Sequence, residues 1–97
     1  MKKLEKSFKK YGDQFKQILR RGKYAVYQRT SKAGNLAFEV IKVSQHNGYK
    51  LGKNFIEPAE IYPGSSLWGI QGWTIQDKDV AEQQFDNLIN GRKRKQS

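Results

Sequence analysis

The residues that could do acid–base or metal chemistry are few, and their spacing does not serve it. The single histidine, His46, stands beside an Asn47-Gly48 turn signal, and one imidazole cannot build a multi-histidine metal site. Glu57 and Glu60 flank Pro58, and Asp77 and Asp79 flank Lys78. Either pair has the charge for a divalent cation, but the first sits in loop chemistry and the second where carboxylates cap the start of a helix. Glu39 and Lys42 are three apart in an apolar run, so a strand puts them on opposite faces. No upstream aspartate completes a nuclease-type set. Gly64-Ser65-Ser66 lacks the glycine spacing of a nucleophile elbow, no glycine-rich phosphate loop occurs, and there is no cysteine to act as nucleophile or ligand. The chain reads as non-enzymatic, with no cofactor and no metal.

Charge is the stronger signal. Nineteen Lys and Arg against nine Asp and Glu give a net +10 over 97 residues. Nine of the cations fall within the first 24 residues, and four more are bunched as Arg92-Lys93-Arg94-Lys95. A field of this sign favours nucleic acid, an acidic membrane surface or an acidic protein, and excludes a mimic of DNA, which needs a dense negative surface. Backbone-phosphate contact needs only positive charge and reach. The candidate contacts are Lys2, Lys3, Lys6, Lys9, Lys10, Lys16, Arg20, Arg21, Arg29, Arg92, Lys93, Arg94 and Lys95. Aromatics interleave with cations at Lys23-Tyr24, Tyr27-Gln28-Arg29 and Tyr49-Lys50, which is the composition of a stacking platform for single strands. No helix-turn-helix, zinc-finger or RRM signature supports sequence readout. A second candidate surface, for a protein partner, is aromatic: Tyr62, Trp68 and Trp73.

Elements must hold these residues. On a helical wheel Leu4, Phe8, Tyr11, Phe15, Ile18 and Leu19 share an arc of about 100°, with lysines and arginines opposite. The pattern predicts a helix from about Lys3 to Arg21, closing at Gly22. Gly12 inside it costs about 1 kcal/mol, yet the stripe keeps its phase across that glycine. Lysine opposite phenylalanine also suits an interfacial membrane helix, but so small a domain needs that stripe for its core. Tyr24–Thr30 and Leu36–Ser44 read as antiparallel strands, the second central, and Asn47-Gly48 as a tight turn into a short third strand from Tyr49. Pro58 and Pro63 keep residues 55–64 out of any central strand. Trp68–Ile75 is the last strand candidate. Asp77 or Asp79 caps a final helix with Ala81, Phe85, Leu88 and Ile89 on one face.

The sum is an α+β domain over residues 1–91, with a basic tail at 92–97. Its order is α-β-β-β-α: a small antiparallel sheet of three to four strands with an N-terminal and a C-terminal amphipathic helix. Phe8, Phe15, Phe38 and Phe85 are the expected core. No apolar run has the length of a membrane span, and no signal-peptide core follows the basic N-terminus, so a cytoplasmic protein is expected.

Tyr24-Ala25-Val26-Tyr27 with Phe38-Glu39-Val40, then Tyr62-Pro63 with Trp68-Gly69, and finally Ala81 with Phe85-Asp86-Asn87-Leu88, resemble small proteins encoded by bacteriophages and prophages of gut bacteria. The order of strands, Trp-Gly strand and Ala-x3-Phe helix is also similar to the WGR domain, with Ile70 in place of that motif's arginine. The resemblance implies a mobile-element origin and a bacterial host cytoplasm. The functional expectation is an accessory protein that binds nucleic acid non-specifically through its phosphates. The alternative is a host-directed inhibitor that binds an acidic host protein through exposed aromatic surface.

Overall fold

A computed structural model describes residues 2–90, so the Arg92–Lys95 cluster and the tail lie outside the described residues. The fold is mostly β. Strands β1 (Ser7–Lys10), β2 (Asp13–Arg21), β3 (Tyr24–Thr30), β4 (Leu36–Lys42) and β9 (Gly72–Ile75) form an antiparallel sheet in the order β1-β2-β3-β4-β9. Between β4 and β9 the chain makes two small ribbons. Strand β5 (Ser44–His46) pairs with β8 (Ala59–Ile61), and β6 (Tyr49–Leu51) with β7 (Asn54–Ile56). A 3-10 turn at Ser65–Leu67 precedes β9, and the helix α1 (Lys78–Ile89) ends the described chain.

The expected N-terminal helix does not form, which overturns the α-β-β-β-α order. Residues 7–21 are instead a hairpin closed by Tyr11-Gly12, both at positive φ, +57° and +81°. Such a pair makes the tight turn whose twist matches the flanking strands. The register sets Lys10 opposite Asp13 and Phe8 opposite Phe15. Residues 8 and 15 are seven apart, two turns of a helix, so a hairpin closed at 11–12 and a helix both put them side by side. Their rings stack at 4.9 Å and 7°. Tyr11, counted in the helical stripe, sits at the tip and is 81% exposed. The adjacent Ile18 and Leu19 have a separate cause. The register shifts between Gln17 and Leu19, and this bulge lets both side chains pack against the same cluster.

The sheet buries both faces. On one, Val26, Phe38, Val40, Ala81 and Phe85 form a core with Ile18, Leu19, Tyr24, Ile75 and Leu88 around it. This is the face that α1 covers. Its N-cap is Asp77, whose carboxylate accepts from the N–H groups of Asp79 and Val80 at 2.8 and 3.2 Å. On the other face Phe15, Ala25, Tyr27, Ile41 and Val43 pack with Leu4, Phe8, Tyr62 and Trp68. Here the cover is irregular chain from the N-terminal segment and residues 62–68, so a second helix is not required.

Two further expectations need correction. Asn47-Gly48 does not fold β4 back on a third strand, because β5 pairs with β8 and β6 with β7. The last strand starts at Gly72, four residues later than expected, since Trp68 lies in the preceding turn and crosses over Gly72. A Cβ built on Gly72 would stand 2.5 Å from the Trp68 ring, so the absent side chain makes that crossing possible.

Candidate functional site

On the face opposite α1, the alternation of β3 brings Ala25, Tyr27 and Arg29 to one side. Arg29 is the hub of a charged network there. Its Nε donates to Asp13 Oδ2 at 2.7 Å and its Nη1 to Glu39 Oε2 at 2.9 Å. Glu39 is 3% exposed in the middle of β4, and the Tyr62 hydroxyl donates to its other oxygen. A carboxylate this buried is tolerable only when paired and hydrogen-bonded, and here both oxygens have donors. The hydrogen bond to Asp13 holds the Arg29 guanidinium above its ordinary value, so it stays charged. Burial pushes the Tyr62 phenol well above the usual range, and its bond to Glu39 adds to that, so the phenol keeps its proton and donates.

Beside this network lies a cleft of about 210 Å³ lined by Lys10, Tyr11, Phe15, Arg29, Tyr62 and Trp68, and reached by Glu39, Pro63 and Thr74. The Trp68 indole N–H donates to Thr74 Oγ1 at 2.9 Å, fixing the ring. Tyr62 packs edge-on against Phe15 and Tyr27 and lies nearly parallel to Trp68, its centroid 6.4 Å away. Lys10 Nζ stands 5.2 Å from the Tyr11 ring centroid and 5.7 Å from that of Tyr62. The Lys32 side chain folds against the same tip, since a Cβ built on Gly12 would stand 2.8 Å from Lys32 Cε.

The expected phosphate-contact residues divide into two sets. Arg20 and Arg29 are held in ion pairs: Arg20 reaches Glu60 through two hydrogen bonds at 3.1 and 2.7 Å, while Arg29 holds Asp13 and Glu39. The bond to Arg20 is the chief reason the Glu60 carboxyl lies below the usual carboxylate range. Lys3 adds a looser contact to Glu60 at 3.9 Å. Lys2 pairs by its backbone with the strand at Ala59, leaving its side chain exposed. Lys6, Lys9, Lys10, Lys16 and Arg21 are exposed and in no ion pair among the described residues. Arg92, Lys93, Arg94 and Lys95 lie outside the described residues.

Among the aromatic candidates, Tyr62, Trp68 and Trp73 are all half-buried. The exposed apolar side chains of the β6–β7 ribbon are Tyr49, Leu51 and Phe55. The stacking platform read at Tyr27 is not available, because that ring is fully buried and its hydroxyl donates to the Glu5 carbonyl at 2.6 Å. His46 is half-buried and accepts the Gly48 N–H at Nδ1, 3.1 Å away. No group of three or more potential metal ligands occurs among the described residues. Nothing in the sequence marks Asp13, Tyr11 or Lys32 as site residues, and the spacing of Glu39 from Lys42 argues against a catalytic pair. The one available signal was an acidic residue inside the apolar run Phe38-Glu39-Val40-Ile41, which marks a charge that must find a buried partner.

No protein-family model, curated protein or solved structure matches this chain. No helix of the described residues is long and apolar enough to cross a membrane.

Proposed function

We propose that this chain is a non-enzymatic accessory protein, phage-encoded and acting in the bacterial cytoplasm, that holds nucleic acid through its phosphates without reading sequence. The observation that carries this reading is the edge hairpin β1–β2, where Lys6, Lys9, Lys10, Lys16 and Arg21 are exposed and lack acidic partners among the described residues. Ser7 opposes Lys16, so Lys9 is its diagonal neighbour on the same face, and such neighbours are about 7–8 Å apart. Two lysines in that register on one face of an extended ribbon, neither in an ion pair among the described residues, suit a run of phosphates better than a single anion. A salt series tests this: affinity carried by phosphate contacts falls steeply with ionic strength and is indifferent to base sequence.

A second reading, binding to an acidic host protein, draws support from the β6–β7 ribbon. Tyr49, Leu51 and Phe55 are exposed there beside Lys50 and Lys53. Contacts anchored by such apolar side chains are less sensitive to salt than phosphate contacts. The same series therefore separates the two.

A further inference from the structure

We propose that the cleft at the tip of the β1–β2 hairpin takes one nucleotide unit of a single strand, its base against Tyr11 and its phosphate between Lys10 and Arg29. The proposal rests on the nucleic-acid reading above and deepens it by assigning a place where the base is gripped.

Three independent features converge on the tip. The first is conformational. Tyr11 is the one non-glycine residue at positive φ among the described residues, at a turn position where asparagine or glycine is favoured. A bulky side chain in that region is strained, and strain of this kind persists at functional sites more than elsewhere. The ring gains little from the fold in return, being 81% exposed at the mouth of the cleft. A residue that costs stability and buries little is explained by what it can bind.

The second feature is the supply of donors. Arg29 uses Nε and Nη1 on its two carboxylates, and its Nη2 hydrogens meet no protein acceptor among the described residues. The Lys10 ammonium has no acidic partner there, and Lys32 lies against the neighbouring Gly12. An anion entering the mouth can meet the Lys10 ammonium and the one guanidinium nitrogen of Arg29, Nη2, that is not committed to a carboxylate. The paired carboxylates, Asp13 and Glu39, fix the guanidinium and keep it from swinging away.

The third is size and wall chemistry. At about 210 Å³ the cleft is smaller than the roughly 300–1,000 Å³ typical of sites for drug-sized ligands, so it suits one base and its phosphate, with the strand passing outside. Its other walls, Tyr62 and Trp68, are rigid: one is held by Glu39, the other by Thr74 and the flat contact with Gly72. The exposed ring is that of Tyr11, and an aromatic face accepts any base, in keeping with a protein that does not read sequence.

The test compares a labelled oligomer of about ten thymidylates with the same oligomer carrying abasic sites, by fluorescence anisotropy at about 50 mM salt. The native chain should bind the thymidylate strand about tenfold more tightly, the usual worth of one good stacking contact. Tyr11→Asn should erase that preference while unfolding at the same or a higher temperature, because Asn-Gly suits the turn better than Tyr-Gly. Equal binding of both oligomers by the native chain, or a preference that survives in Tyr11→Asn, would overturn the cleft assignment. If binding is salt-dependent but indifferent to the bases, the phosphate reading stands and the cleft assignment is gone. If neither strand is bound, both readings are gone.

Discussion

The guanidinium of Arg20 grips both oxygens of Glu60 across 40 positions of sequence, at 3.1 and 2.7 Å, and thereby pins the ribbon β5–β8 to the second strand of the main sheet. The same carboxylate accepts the Leu4 N–H at 2.9 Å, so the N-terminal segment is tied into the same knot. Three separate pieces of chain meet on one side chain.

That arrangement sets an acid limb to stability. Because Glu60 titrates below its ordinary 4.5 in the folded chain, the folded state resists protonating it. The stabilisation is complete above about pH 4.5 and drains away as pH falls through the lower, folded value. Glu60→Gln should cost about 1.5–3 kcal/mol near neutrality, the worth of hydrogen bonds to a charged group. It should also flatten the loss of stability below about pH 4.5. Urea midpoints measured between about pH 3 and about pH 7 check both, and an unchanged acid limb in the variant would remove Glu60 as its source.

Tyr62→Phe probes the opposite end of the pH scale. The variant keeps the ring packing but removes the donor that satisfies one oxygen of buried Glu39, at an expected cost of about 1–3 kcal/mol. In the native chain the raised Tyr62 value means stability is intact below the phenol's ordinary 10.0 and is lost as pH rises beyond it. The variant should therefore start less stable and lose less between about pH 9 and about pH 11. Thermal unfolding monitored by circular dichroism across that range decides it, and parallel alkaline limbs would show that Tyr62 does not contribute to them.

Phe15 is the centre of the face opposite α1, 2% exposed, stacked on Phe8 and with the Arg29 guanidinium 5.1 Å from its ring centre. Truncation to alanine should cost about 3–5 kcal/mol, a large part of the stability of a domain this size. A scanning-calorimetry transition at the native temperature would mean that the edge hairpin is not docked as described.

The sequence disclosed the centre of this fold better than its edge. Strand β3 was read at its true bounds and β4 within two residues, because Val26, Val40 and Ile41 are β-branched and buried on a two-sided sheet. The final helix was legible, with its cap narrowed to Asp77 or Asp79, because capping chemistry is local; the structure gives Asp77. The edge hairpin was not, for two reasons that compound. A two-residue turn makes partners of residues seven apart, which a helix also aligns, and the bulge beside Ile18 interrupts the alternation that would have betrayed a strand. Gly12 carries the missing signal: inside a helix it is only a modest cost, whereas the turn uses it at positive φ. The charged network was hidden for another reason. Asp13, Arg29, Glu39 and Tyr62 come from four parts of the chain, and only the register of the sheet brings them together.

The exposed lysines of the edge hairpin give the most direct test of function. If about five cations contact duplex phosphates, the logarithm of affinity should fall with the logarithm of salt with a slope of roughly −4.5. Lys6, Lys9 and Lys16 are exposed and without ion-pair partners among the described residues, so replacing all three by glutamine should leave the fold intact. The slope should flatten by up to about 3, with similar losses on unrelated sequences, since phosphate contacts carry no base information. Reversing Arg20 or Arg29 would be a poor control, because each holds a buried carboxylate and its loss would report on folding. Anisotropy with unrelated DNA and RNA oligomers over a salt series measures the slope, and circular dichroism of the triple variant verifies the fold. A slope that the triple variant leaves untouched, or no binding even near about 50 mM salt, would assign these lysines to solubility and leave the apolar ribbon of Tyr49, Leu51 and Phe55 as the surface to pursue.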